Sequence, residues 1–301
     1  MAHNTSTPPG GTFPLGDRAV ARIGYGAMQL RGATADPDKA VALLRRARDL
    51  GADHIDTAHF YGNGFVNALI RTAYGTDAGI FVATKVGADP DPTGKLPVKL
   101  AQRPEQLRAS VEDNLAGLGV AQLALVNLRR ADGAHGLHIP DDQIVDFDDQ
   151  MAAMIALRDE GKIGAIGLSA VSLDELRRAA PAGIACVQNA YSLVSRRFED
   201  VLAFCQEQGI AWVPFFPLGG ANPGLPKVVE QPAVIETAAR LGVEPSQVGL
   251  AWLLDHAPNT LLIPGTSNLA HLEQNMAIGS ITLDREAIAA LDAIDVGAPG
   301  H

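Results

Sequence analysis

Cysteine is scarce: the 301 residues hold two, Cys186 in an apolar strand-like run and Cys205 in a helical pattern. Their spacing fits neither a disulfide framework nor a metal site, so both are expected to be buried thiols of a reducing cytoplasm, and no metal centre is expected. Basic charge is also in deficit, 24 Lys and Arg against 34 Asp and Glu, for a formal net charge of −10. Nucleic acid and anionic membranes select basic surfaces, so neither is expected as a partner. No apolar run approaches a membrane span, and the opening MAHNTSTPPGG is polar and rich in Pro and Gly, so neither a signal peptide nor an anchor is expected. There is no G-x-G-x-x-G after the first strand-like run, no Walker loop and no H-E-x-x-H, which leaves a Rossmann, P-loop or zinc-protease reading without its fingerprint. A cytoplasmic enzyme acting on a small molecule remains, and a homo-oligomer is compatible with it.

What is present is alternation. Hydrophobic residues make up 47% of the chain, enough for two ordinary domains or one large α/β barrel. Eight short apolar runs recur: Ala21 to Tyr25, His54 to Ala58, Ile80 to Thr84, Leu123 to Leu128, Ile163 to Ser169, Ala185 to Tyr191, Ile210 to Phe216 and Thr260 to Pro264. Between them lie helical patterns at Asp38 to Leu50, Pro104 to Leu118, Asp148 to Glu160, Leu173 to Ala180, Phe198 to Gln208 and Val234 to Leu241. Continuous apolar strands, a count of eight and no break in composition favour a closed (β/α)8 TIM barrel over a doubly wound sheet. The expected organisation is one barrel domain over residues 1–301, with residues 1–17 a polar N-terminal extension and residues 284–301 a tail helix and end. An extra helix, Pro245 to His256, is expected between strands seven and eight. The long loops Arg130 to Phe147 and Pro217 to Glu230 would lie over the active face.

The residues that carry chemistry cluster at the C-terminal ends of strands two and three: Asp56, Tyr61 and Lys85. Each alone reads as well as an ordinary strand-end polar group. Together they are an acid, a phenol and an amine on consecutive strands, where a barrel converges its side chains. An ammonium beside a phenol favours the phenolate, and the carboxylate holds the ammonium in place, a trio suited to protonating a carbonyl oxygen during hydride transfer. Arg129 ends strand four and is open to three readings: polarising the carbonyl, pairing with an anionic group of the substrate, or bridging to Asp132 or another acid of its own loop. Ser169, Gln188 and Asn189 could bond a carboxamide, and Tyr191 could stack on a flat ring. Pro217, Leu218, Gly219 and Gly220 leave backbone N-H groups open to phosphate, and Gly265, Thr266, Ser267 and Asn268 lead into a helix whose N-terminus would attract another.

The motifs GYGAMQL, HIDTAHFYG, FVATK, VNLR, IGLS, CVQNAYS, PFFPLGG, AWLL and IPGTSN, in this order, resemble those of the aldo-keto reductase superfamily from about Ala21 to Ile278. Within it, VNLR with GYGAMQL and PFFPLGG is most similar to the bacterial pyridoxal reductases. The resemblance implies an NADPH-dependent reductase of aldehydes or ketones, with pyridoxal to pyridoxine as the leading reaction, Tyr61 as general acid and Asp56 and Lys85 tuning it. It implies that Ser169, Gln188 and Asn189 hold the nicotinamide carboxamide, that Tyr191 stacks on its ring, and that the two Gly-containing loops hold the phosphates. The family's usual histidine after strand four is replaced by Arg129, which could pair with an ionised ring oxygen of pyridoxal. Gly265 and His271 stand where many members carry Lys and Arg for the 2′-phosphate, leaving Thr266, Ser267 and Asn268 to bond it; Gln274 replaces a frequent Glu beside Asn275 at the adenine contact. Two alternatives remain, a reductase of a sugar or secondary-metabolite carbonyl and a cofactor-sensing regulatory subunit with little turnover.

Overall fold

The computed structural model describes residues 8–75, 77–94, 96–131, 139–220 and 226–296. The chain opens on an antiparallel hairpin, β1 (Thr12–Leu15) and β2 (Arg18–Ala21), and then alternates strand and helix. In order come β3 (Tyr25–Gly26), α1 (Pro37–Asp49), β4 (His54–Asp56), α2 (Phe65–Tyr74) and β5 (Phe81–Val86). A second hairpin, β6 (Ala88–Pro90) and β7 (Val98–Leu100), precedes α3 (Pro104–Leu118), β8 (Leu123–Arg129), α4 (Phe147–Asp159), β9 (Ile163–Ser169), α5 (Leu173–Ala179) and β10 (Ile184–Gln188). The chain continues through α6 (Glu199–Gln208), β11 (Ala211–Trp212), α7 (Pro232–Leu241), α8 (Pro245–His256), α9 (Leu269–Met276) and α10 (Arg285–Asp292). The helices start where the sequence can cap them: Asp36 accepts from Lys39 N at 3.1 Å ahead of Pro37, and Ser172 with Glu175 forms a capping box on α5.

Seven strands form one parallel sheet in the order β3-β4-β5-β8-β9-β10-β11. The eighth apolar run closes it. Leu261 N donates to Trp212 O and Gly24 N to Leu262 O, both at 2.8 Å, and the bridges Trp212 to Thr260 and Ile23 to Leu262 are parallel. The result is the expected (β/α)8 barrel, with its first, seventh and eighth strands short.

Strand alternation sorts the side chains into two sets. Phe81, Ala83, Leu125, Cys186, Ala211, Val213 and Leu261 point into the barrel, while Ile55, Val126, Ile166, Val187 and Leu262 pack under the helices. Leu15 and Val20 of the first hairpin belong to the inner set, so the hairpin plugs the end where the strands begin. It is tied down there by Ala21 N to Asp53 Oδ1 at 2.9 Å and Arg18 Nη1 to Ala78 O at 2.7 Å. This revises two expectations: residues 12–17 of the polar extension are part of the plug, and Ala21 belongs to it rather than to the first barrel strand. Helix α2 was not among the expected helices, although Val66, Leu69 and Ile70 give it an apolar face. Among the described residues, no helix is long and apolar enough to cross a membrane.

Truncating the plug should cost stability without touching chemistry at the far end. Val20→Ala is expected to destabilise by about 2 kcal/mol through lost burial and a residual cavity. A lower urea midpoint at unchanged slope would show it; an unchanged midpoint would mean that the plug contributes no packing.

Candidate active site

The inward face that carries Phe81, Ala83 and Leu125 at the plugged end carries polar residues at the other. On β5 the next inward residue is Lys85, on β8 it is Arg129 after Asn127, on β4 it is Asp56, and on β10 it is Gln188 after Cys186. Each ends or nearly ends its strand. Tyr61 arrives from the turn between β4 and α2, whose sequence YGNG contains three consecutive residues of positive φ, Gly62 at 67°, Asn63 at 54° and Gly64 at 81°. Gly and Asn tolerate that region, and the tight turn folds Tyr61 back over the barrel mouth.

Lys85 Nζ has three partners: Asp56 Oδ1, Thr57 O at 3.0 Å and Tyr61 Oη at 3.2 Å. Asp56 Oδ2 accepts from Gln188 Nε2 at 2.7 Å, so both carboxylate oxygens are held. Burial opposes the charge on Lys85 most strongly, but Asp56 and Tyr61 together override it and raise the lysine above its ordinary value. An ammonium only donates. The Tyr61 oxygen is therefore the acceptor in this contact, and its own hydrogen is left for another acceptor in the cavity beside it.

That cavity has a volume of about 1420 Å³, and Asp56, Tyr61, Lys85, Arg129, Ser169 and Gln188 all line it. Its walls continue through Pro217, Leu218, Gly219 and Gly220 on one side and the hairpin of β6 and β7 on the other. The non-glycine residues with positive φ among those described, Asn63, Ala170 and Phe216, all line it too, and at Ala170 and Phe216, which unlike Asn do not favour that region, this is backbone strain of the kind that gathers at functional sites. Gln188 Oε1 is buried with no hydrogen-bond partner in the protein. An acceptor so placed suits an amide N-H of a bound group.

The aldo/keto reductase family model matches residues 22–296. The chain belongs to the aldo/keto reductase family. It is 40% identical over 292 residues to pyridoxine 4-dehydrogenase of Escherichia coli (strain K12), covering 94% of this chain and 98% of that protein. It is 34% identical to an uncharacterized oxidoreductase of Schizosaccharomyces pombe, over 94% of this chain and 89% of that one. Among solved structures, an aldo-keto reductase of Klebsiella pneumoniae in complex with NADPH matches with a TM-score of 0.77 at 26% identity, over 93% of each chain. As a member of this family the protein is an oxidoreductase acting between carbonyl and alcohol groups.

Not every expected residue of this aldo/keto reductase reaches the cavity. Tyr191 does not: its ring is 1% exposed, edge-on to Trp212 and stacked with Trp252, and its hydroxyl bonds Glu199 and His256. Asn189 is spent on Val171, accepting from its N-H at 3.0 Å and donating to its carbonyl at 2.7 Å. Both lie on the outer face because Gln188 points inward and the face alternates. Gly265 and Asn275 line the cavity. Thr266 Oγ1 accepts from Asn268 N, and Asn268 Oδ1 caps α9 through His271 N; Ser267 and His271 are exposed beside that cap. Gln274 offers its carbonyl to Gln247. Sequence reasoning missed Phe215, Phe216 and Lys227, which line the cavity, Lys227 being paired with Glu230 at 2.9 Å. PFFPLGG carried the signal for the two phenylalanines. His135 and His138 of the loop after strand four lie outside the described residues.

Proposed function

We propose that this protein is an NADPH-dependent reductase that converts an aldehyde or ketone to the alcohol with Tyr61 as general acid, pyridoxal to pyridoxine being the leading reaction. The observation that carries the reading is the direction of the Lys85 to Tyr61 hydrogen bond, which leaves the phenolic proton for an acceptor other than Lys85 at a residue that lines the cavity. Identity to a pyridoxine 4-dehydrogenase supports the substrate, and the NADPH complex of a structural relative supports the cofactor.

NADPH would be held by Gln188, through its unpaired Oε1, by Ser169, and by the backbone of residues 217–220 and of the segment entering α9. When bound, it supplies the hydride. Tyr61 donates its proton to the carbonyl oxygen, and the charge then left on the phenolic oxygen lies 3.2 Å from the Lys85 ammonium, a preorganised cation where charge develops. Asp56 keeps that ammonium charged and aimed, and Gln188 keeps Asp56 aimed.

NADPH oxidation followed by absorbance, with pyridoxal beside a panel of unrelated aldehydes and ketones, tests the proposal. Turnover selective for pyridoxal is the expected result. Turnover of other carbonyls alone would discard the vitamin and keep the reductase, and tight NADPH binding with no turnover would favour the sensing role.

A further inference from the structure

We propose that the substrate carries an ionised oxygen close to its carbonyl group and that Arg129 binds it, with Arg31 at the cavity rim drawing the anion in. The inference rests on the reductase reading and narrows its substrate class. Taking a cation out of water is costly unless a counter-charge goes with it. Two cations near the barrel mouth obey this: Lys85 has Asp56, and Arg130 has Glu175 at 3.0 Å. Arg129 ends β8 immediately before Arg130, and among the described residues its guanidinium makes neither a hydrogen bond nor an ion pair. Its neighbours are the Phe60 ring, 5.9 Å from the guanidinium carbon to the centroid, and the Tyr61 phenol. Burial presses the guanidinium below its ordinary value, with Tyr61 opposing; arginine stays charged nonetheless.

Among the described residues, the carboxylates on the cavity wall are committed or turned away. Asp56 holds Lys85 and Gln188, while Asp91 accepts from Thr93 in its own turn at 3.4 Å and pairs with neither arginine. The cofactor's phosphates are no partner either. They are expected at the loops after strands seven and eight, and strand four stands opposite strand eight in a ring of eight. With no described residue supplying the counter-charge, the substrate is its source. Because the Phe60 ring packs against both the Arg129 guanidinium and the Tyr61 ring, and all three line the cavity, that anion lies near the carbonyl that Tyr61 protonates. A guanidinium fork suits a carboxylate or a phenolate beside an aldehyde. Arg31 lines the same cavity, is exposed and makes no hydrogen bond or ion pair among the described residues.

Two readouts test this, one of binding and one of turnover. Benzoate and benzamide are titrated calorimetrically into the full chain with and without NADPH. In parallel, kcat/KM is measured for salicylaldehyde and 2-methoxybenzaldehyde at a pH where the phenol is ionised. Benzoate is expected to bind at least about tenfold tighter than benzamide, and salicylaldehyde to be preferred by a similar factor. In Arg129→Met both ratios should fall to about one, with Arg129→Lys keeping part of each. Equal binding of acid and amide, or preferences that survive in Arg129→Met, would overturn the inference. Discrimination for benzoate with no turnover of any carbonyl would keep the anion site and remove the reductase reading instead.

Discussion

Tyr61→Phe is expected to lower kcat by about 10²–10⁴-fold, the usual contribution of a positioned general acid, while NADPH affinity stays within about threefold. The substitution removes one oxygen and keeps the ring, which is 9% exposed and packs edge-on against Phe60 at 5.1 Å. Packing at the mouth is thus preserved, and Lys85 keeps its bonds to Asp56 and Thr57. Single-turnover rates with NADPH and the best carbonyl substrate separate chemistry from binding. A loss in kcat below tenfold would assign the proton to another group.

Lys85→Met has the second large effect, on two axes. Removing the ammonium leaves Asp56, 4% exposed, with Gln188 Nε2 as its remaining side-chain donor. Breaking a buried pair by deleting one partner typically costs about 3–5 kcal/mol. The cation facing the developing phenolate also disappears, which costs on the order of 10²–10³ in kcat when a single preorganised donor is lost. The pH dependence has a definite sign. Because Lys85 is raised above its ordinary 10.5 in the folded state, its contribution is complete below that value and is lost as pH rises through the folded one. The stability gap between wild type and Lys85→Met should therefore hold steady across neutral pH and narrow only in strong alkali. A gap that closes on acidification through neutrality would contradict this.

The strands of this barrel were legible because each is a continuous apolar run buried on both faces, a pattern that depends on no distant partner. Asp56, Lys85 and Arg129 were legible for the same reason, as polar residues ending such runs. The N-terminal hairpin was not. TFPL and RAVA are too short and mixed to declare what they cover, and their partners, Phe81, Leu125 and Leu261, are far along the chain. Tyr191 shows a different failure. Its place two residues after Asn189 was read by motif, whereas counting in twos from Gln188 would have sent both residues to the outer face. Helix α2 escaped because the glycines around it read as loop, although they mark its two ends, Gly64 and Gly75.

The plug at the strands' beginnings has a consequence for traffic. With Leu15 and Val20 stoppering one end, the cavity is walled, among the described residues, by the hairpin of β6 and β7 on one side and the bridge of Gly219 with Lys227 on the other, and ligands reach the site from the end away from the plug. Two ligands sharing one doorway queue: whichever lies deeper is admitted first and released last. Release through that doorway is then a step that changes in the walls could alter without any change to the reacting groups.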